Sequence, residues 1–296
     1  MTKQVILVTG GNTGLGFQAC LDMAKTPNTH VILTGRSAER VEAAVEKIQA
    51  QIDPTSTVEG SLLDLGSLKG VQAFATEFKK RDLTIDTLLA NAGFSGPIDN
   101  KLLTEDGYEM TFGVNHLGHF LLITLLRECV RRVVVVSSEV HNPAEKMPVP
   151  PPNVSDLEEL AHGYQNFNAG EAYSTSKLCN LFFVSEILRR YPSGTEMLAY
   201  SPGLVPDTEF ARHKNADTQA FAARIRQMGL LTSTCAYSGG FMARLCLGDW
   251  PSTGWKNGEF IVIDKTRDTS DLAKDTALAQ KLWEKSEELV SRALAA

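Results

Sequence analysis

The stretch Gln4-Val5-Ile6-Leu7-Val8-Thr9-Gly10-Gly11-Asn12-Thr13-Gly14-Leu15-Gly16 decides the fold of this 296-residue chain. An apolar, partly β-branched run predicts a strand over Val5–Thr9, and the amphipathic pattern after Gly16 predicts a helix. Between them, glycines let the turn take angles closed to other residues and let the backbone approach a ligand closely. A helix starting at such a turn aims its free N–H groups and its positive dipole end at the same place, which suits a diphosphate. A glycine-rich turn alone is as readily a plain tight turn; its place between a strand and a helix is what points to a dinucleotide. Gly10, Asn12, Thr13, Gly14, Leu15 and Gly16 are therefore the first candidate cofactor residues. No lysine follows where a nucleoside-triphosphate loop requires one.

Outward from this turn, strand-like runs recur at Val31–Thr34, Thr57–Leu62, Ile85–Ala90 and Val133–Ser137, with two more expected at Glu196–Tyr200 and Glu259–Ile263. Helical patterns lie between them. In Ser37–Gln51, Val41, Ala44, Val45 and Ile48 form one apolar face, with Ser37 placed as N-cap and Glu39 in the first turn. A last helix is expected over about Leu272–Leu294, with Leu278, Leu282 and Leu289 on one face. Apolar strands alternating with helices imply an α/β fold: a doubly wound parallel sheet of about seven strands, covered on both faces. Asn142–Gly170 holds five prolines, so much of it is neither regular helix nor central strand. Ser201–Ser233 reads as a mobile cover. Neither stretch looks like a linker. The expectation is one domain over 1–296, its dinucleotide-binding part at about 1–137 and its catalytic, substrate-covering part at about 138–296.

Charge narrows the function classes. Lys plus Arg total 29 against 35 Asp plus Glu, a formal charge of −6, which argues against a nucleic-acid or anionic-membrane surface. Cys20, Cys129, Cys179, Cys235 and Cys246 form no C-x-x-C pair and sit in apolar, helix-like surroundings, so free buried thiols are expected rather than disulfides or zinc. No secretory signal precedes the first strand, and Arg127, Glu128, Arg131 and Arg132 interrupt the most apolar stretch, so neither export nor a transmembrane segment is expected. The expected address is the cytoplasm. Asn153-Val154-Ser155 has a glycosylation spacing that carries no meaning there.

Two further places carry chemistry. The second strand ends at Thr34-Gly35-Arg36-Ser37, where an acidic residue would hold a ribose 2′-hydroxyl. Arg36 and Ser37 instead suit a 2′-phosphate, which favours NADP(H) over NAD(H); the plain alternative is a solvated arginine. Tyr173-Ser174-Thr175-Ser176-Lys177 opens a helix, and the i, i+4 spacing puts Tyr173 and Lys177 on one face. For a phenol with a pKa near 10 to act as a base near neutrality, that pKa must fall by about 3, roughly 4 kcal/mol, which an adjacent ammonium and a cationic nicotinamide can supply. A lone Tyr-x-x-x-Lys is more often structural.

Thr9–Gly16, Asp64, Asn91-Ala92-Gly93, Asn115, Ser137-Ser138 and Tyr173/Lys177 together resemble, in order and element, the short-chain dehydrogenase/reductase family over nearly the whole chain. The resemblance implies a single Rossmann-type domain and a catalytic tetrad of Asn115, Ser138, Tyr173 and Lys177. Tyr173 would exchange a proton with the substrate oxygen and Ser138 would orient that oxygen. Lys177 would hold the nicotinamide ribose, and Asn115 would position a water leading to solvent. Ser138 is preferred to Ser137 because the family's serine is usually the second of such a pair. The resemblance also puts Asp64 and Leu65 at the adenine, and Asn91, Ala92, Gly93, Pro202, Gly203 and Thr208 along the cofactor.

The chain is further similar to the retinol dehydrogenase and light-dependent protochlorophyllide reductase branch. The segments are Asn115-His116-Leu117-Gly118-His119-Phe120, Ala172–Asn180, Leu282–Ser286 and the insert between Ser138 and Tyr173. Two departures stand out: Leu204 replaces the functional cysteine of protochlorophyllide reductases, and Asp207 stands where a threonine is usual, with Thr208 next.

The resulting expectation is an NADPH-dependent ketone or aldehyde reductase taking a small-molecule carbonyl or alcohol substrate that is apolar and bulky. The alternatives are reduction of a conjugated C=C bond and a non-catalytic dinucleotide sensor. No metal is expected, because His116 and His119, three apart, lack a third ligand and read as helix packing. His141 either lines the cavity or faces solvent, Lys79-Lys80-Arg81 reads as a solvated helix end, and Phe94, Phe210, Phe221 and Met228 either line the cavity or pin its loops. Asn and Gly in Gly163–Gly170 suggest a flexible approach. Monomer and homodimer both fit, the proline-rich insert being expected over the face through which many relatives pair.

Overall fold

The computed structural model describes residues 3–97, 100–145, 147–206, 208, 223, 227 and 229–296. Among these residues, β1 (Gln4–Val8), β2 (Thr29–Gly35), β3 (Thr57–Leu62), β4 (Ile85–Ala90), β5 (Val130–Val136), β6 (Glu196–Ser201), β7 (Phe260–Val262) and β8 (Lys265–Arg267) form one sheet. The strand order is β3-β2-β1-β4-β5-β6-β7-β8. All neighbours from β3 to β7 are parallel, and β8 folds back antiparallel on β7.

Alternation along each strand sends side chains to opposite faces, and in the central strands both faces are buried. Val5, Leu7, Val133 and Val135 join a core with α3 (Leu68–Lys79), α5 (Gly118–Leu126), α7 (Ala169–Arg190) and the last helix, α10 (Thr276–Ala295). Ile6, Val8, Val134 and Val136 join the other core, with α1 (Gly14–Ala24), α2 (Ala38–Gln49) and α8 (Cys235–Leu247). A three-residue α4 (Met110–Phe112) runs through a π-helical turn (Gly113–Leu117) into α5. Short α6 (Leu157–His162) and α9 (Trp250–Thr253) lie outside these layers' long helices. Strand order reverses between β1 and β4, so the carboxyl ends of these strands open a crevice, the usual ligand position in such sheets.

Ser37 caps α2 as expected, accepting from the Arg40 N–H, and Val41, Ala44 and Ile48 are buried. The seven expected strands become eight, because the polar, exposed β8 has no apolar alternation to betray it. Arg131 and Arg132 belong to β5, which starts at Val130; Arg132 lies over the Trp250 ring at 4.2 Å and so takes a place in a strand. The proline-rich insert holds one short helix, α6, capped by Asp156. All five cysteines are free, but Cys129 and Cys235 are only half-buried. No helix among the described residues is long and apolar enough to cross a membrane.

α10 packs along α7 and reaches α5 through Trp283. Trp283 stacks on Phe183 (5.8 Å, 10°) and meets Phe120 edge-on at 4.9 Å, with the Arg190 guanidinium over its ring. The insert runs along the start of α7 instead: the Pro150 carbonyl accepts from the Ser174 hydroxyl and the Asn153 N–H donates to Thr175.

Candidate active site

The turn after β1 is built for close approach of a ligand. Gly10 (φ +63°) and Gly14 (φ +56°) are left-handed, a conformation that favours glycine. A Cβ on Gly16 would collide with the Gly10 carbonyl and the Asn91 side-chain amide. Thr13 stands at the N-cap of α1 without a side-chain cap bond, whereas Ser37, Ser67, Asn168 and Thr234 cap their helices. The first N–H groups of α1 are thus left for a ligand, which fits a diphosphate. Leu15 packs from α1 onto the core.

Asn91 straps this turn to β4: its side-chain amide donates to the Thr9 carbonyl (2.9 Å) and the Gly10 carbonyl (3.2 Å). The Thr9 hydroxyl accepts the N–H groups of Asn91 (2.9 Å) and Ala92 (3.0 Å). Arg36 is exposed just past β2, while the Asn12 side chain packs against Gly35. Asp64 is exposed and its carboxylate accepts the Gly66 N–H; the carbonyl of buried Leu65 packs against Gly118.

The four expected catalytic residues come from three segments, Tyr173 and Lys177 sharing α7. Lys177 is buried on α7, donates to the Val136 carbonyl (3.2 Å) and lies 5.4 Å from the Tyr173 ring centre. Asn115 sits in the π-helical turn, buried; its Oδ1 accepts the Phe94 N–H (2.7 Å) and its Nδ2 donates to the Phe94 carbonyl (2.9 Å) and to Ser176 (2.9 Å). A Cβ on Gly93 would stand 3.7 Å from Lys177 Nζ and 3.8 Å from Asn115 Oδ1, so both groups converge on that backbone. Ser137 and Ser138 separate cleanly. Buried Ser137 spends its hydroxyl on the Lys177 carbonyl (2.8 Å), while the half-buried Ser138 hydroxyl has, among the described residues, a long contact from the Val140 N–H (3.4 Å).

Burial lowers the Lys177 pKa to about 8. Burial also pushes the Tyr173 phenol above its ordinary range, opposite to the fall a general base needs.

At the far side, Gly203 is left-handed (φ +71°) against Ile263, and the Pro202 carbonyl accepts from Ser238 (2.9 Å). Thr208 is buried, its methyl 3.8 Å from where a Cβ on Gly14 would stand. Phe94 is half-buried; Asp207, Phe210, Phe221 and Met228 lie outside the described residues. His141 does not face solvent. It is buried, donates from Nδ1 to the Ser138 carbonyl (2.7 Å) and accepts the Ser270 N–H at Nε2 (3.2 Å). Its partner is 129 residues away, so no local signal could have announced it. No group of three or more metal-ligating side chains occurs among the described residues.

A sheet of this topology with a glycine turn and a Tyr–Lys helix at its switch point defines a dinucleotide-binding class. The short chain dehydrogenase family pattern matches residues 4–148. A WW domain-containing oxidoreductase of Danio rerio is 35% identical over 98% of this chain and 69% of its own length. Retinol dehydrogenase 14 of Mus musculus is 32% identical over 98% and 86%. The protochlorophyllide reductase of Avena sativa is 32% identical over 98% and 100%. A crystal structure of an uncharacterised protein from Mycobacterium Paratuberculosis superposes with a TM-score of 0.73 at 28% identity, covering 98% of this chain and 94% of that one. The chain belongs to the short-chain dehydrogenase/reductase family, oxidoreductases that bind a nicotinamide dinucleotide and act on small molecules. Within it, the chain falls in the retinol dehydrogenase and protochlorophyllide reductase branch.

Proposed function

We propose that the chain is an NADP(H)-dependent oxidoreductase that interconverts a carbonyl and an alcohol, with Tyr173 as proton donor and acceptor. The carrying observation is the pairing of Tyr173 and Lys177 on α7, with Lys177 Nζ and Asn115 Oδ1 converging on Gly93. A bound nicotinamide supplies or accepts the hydride. Buried Tyr173 keeps its proton across the physiological range and so stands ready to donate it to a substrate oxygen. The hydroxyl of Ser138 orients that oxygen. Lys177 holds the ribose and, charged, favours the tyrosinate left after donation. The glycine turn, the Asn91–Gly93 strap, Asp64–Leu65, Pro202–Gly203 and Thr208 line the cofactor, and Arg36 with Ser37 recognises a 2′-phosphate.

The retinol dehydrogenase among the relatives favours an apolar substrate. Leu204, in place of a cysteine, weighs against reduction of a porphyrin double bond. Since α10 already packs on α7 and seats Trp283 against Phe120 and Phe183, we read the chain as a monomer.

NADPH oxidation against a panel of aldehydes, ketones and quinones tests the reading, for wild type and Tyr173→Phe in parallel. The expected result is turnover that the variant loses, by a factor of at least about 10², while it still binds NADPH. Binding without turnover in either protein would favour a sensor, and a saturated C=C product would favour the protochlorophyllide reductase-like alternative.

A further inference from the structure

His119 lies on α5 outside the expected catalytic set, buried, between two parts of the site. Its Nδ1 is 3.1 Å from the Asn115 carbonyl and its Nε2 is 2.9 Å from the Thr9 hydroxyl. The proton positions follow from counting. A carbonyl only accepts, so Nδ1 carries the hydrogen. The Thr9 hydroxyl already accepts two N–H groups, from Asn91 and Ala92, which fills its lone pairs. Its own proton has two possible acceptors, the Leu89 carbonyl at 3.4 Å and His119 Nε2 at 2.9 Å. The Leu89 carbonyl already takes the Thr9 N–H at 3.0 Å and shares the Asn91 N–H with the Thr9 hydroxyl, and its own contact with that hydroxyl is the longer of the two. The Thr9 hydroxyl therefore donates to Nε2, and His119 is neutral with its hydrogen on Nδ1. A second proton would find no acceptor at Nε2 and would stand against the Lys177 ammonium; burial, with a lesser push from Lys177, lowers the His119 pKa to about 4.

We propose that His119 is a positioning residue, a neutral clasp that ties the Asn115 carbonyl to the Thr9 hydroxyl and so locks the cofactor turn and the catalytic asparagine into one register. This rests on reading the site as the proposed oxidoreductase centre. Thr9 holds the Asn91–Ala92 strand end, Asn91 holds Gly10, and Asn115 holds Phe94 and Ser176 next to Lys177. His119 joins these two chains of hydrogen bonds from behind. His116, one turn earlier, makes an internal control: Ser286 gives its own proton to the Leu282 carbonyl, so His116 must donate to it from Nε2. The two histidines, three residues apart, carry opposite tautomers.

Two measurements test the clasp on the full chain. With 15N-labelled histidine, long-range proton–nitrogen NMR should give the Nδ1–H pattern for His119 and the Nε2–H pattern for His116, with and without NADPH. An Nε2–H or doubly protonated His119 at pH 7 would overturn the proposal without any variant having to fold. Next, NADPH affinity by fluorescence titration and the kcat–KM split are compared for three variants. His119→Phe keeps the ring volume and loses both bonds. His119→Asn retains reach to the Asn115 carbonyl, and His119→Gln retains reach to Thr9. The expected outcome is an affinity loss of about tenfold and a fall in kcat for Phe, with Gln rescuing mainly affinity and Asn mainly kcat. Equal losses in all three, or none, would make His119 a packing residue. NADPH binding and tautomers as expected, with no turnover by wild type, would remove the oxidoreductase reading and leave the clasp standing.

Discussion

Lys177 sets function against stability in a way that can be measured. Its ammonium is buried and its pKa falls from 10.5 to about 8, with burial the cause. At pH 7 the group is charged in both native and unfolded chains, and the native state carries a desolvation penalty of about 3 kcal/mol. Lys177→Met keeps the length of the side chain and removes that penalty. It also removes the bond to the Val136 carbonyl, worth about 1 kcal/mol, although that carbonyl keeps the Asn180 amide at 3.2 Å. The variant should therefore be more stable by about 2 kcal/mol, a rise in melting temperature of roughly 4 °C, while losing turnover.

The pH dependence gives the sharper test. Between about 8 and 10.5 the unfolded wild-type chain binds a proton that the native chain has shed, so wild-type stability rises with pH through this window. The advantage of the methionine variant is thus complete below about pH 8 and gone near pH 10.5. Thermal melts of both proteins from pH 7 to 10, without added dinucleotide, measure it. A variant no more stable than wild type at pH 7, or an advantage flat across that range, would refute the argument.

Three other perturbations probe separate parts of the molecule. Gly16→Ala drives a methyl into the Gly10 carbonyl and the Asn91 amide; it should cost about 2 kcal/mol in denaturant melts and abolish NADPH binding, whereas Gly107→Ala, with open space around it, should cost about half that. Trp283→Ala removes the buried ring that α10 seats on Phe120 and Phe183, so a loss of 3–5 kcal/mol is expected (about that of other buried-tryptophan truncations). Light scattering should find wild type monomeric and the variant self-associating through the uncovered face. Arg36→Asp should reverse cofactor choice, raising KM for NADPH and lowering it for NADH; unchanged constants would place the 2′-phosphate contact elsewhere.

The elements that could be read from sequence are those whose cause is local. Ile85–Ala90 keeps the expected bounds because a largely apolar run buried on both faces leaves no other reading, and Thr57–Leu62 keeps its bounds as well, although Val58 alone in it is buried. The helix over Ala38–Gln49 was marked by its cap and its apolar stripe. Tyr173 and Lys177 share a face because helical spacing requires it. What could not be read depends on distant partners. The strand β8 exists because β7 offers it an edge, and the packing of α10 on α7 depends on how α10 returns across the sheet. His141 meets Ser270, and His119 meets Thr9, 110 residues away. A histidine on an apolar helix reads as packing until its hydrogen-bond partners are known.

The π-helical turn shows why the site sits where it does. Gly113 and Gly118 bracket it, and neither position tolerates a Cβ: one would strike the Thr104 side chain, the other the Leu65 carbonyl. The helix is therefore pressed at both ends against the loops that follow β4 and β3. Between these pins, five residues take the place of an ordinary turn, and Asn115 is the middle one. Its side chain then reaches across to Phe94 at the end of β4 and to Ser176 on α7, while its carbonyl meets His119. Widened turns of this kind recur at functional sites because they re-aim one side chain without ending the helix. Here the re-aimed residue is the one that joins the cofactor strap to the Tyr173–Lys177 helix. The glycines around it thus matter as much to the chemistry as the polar groups they bring together.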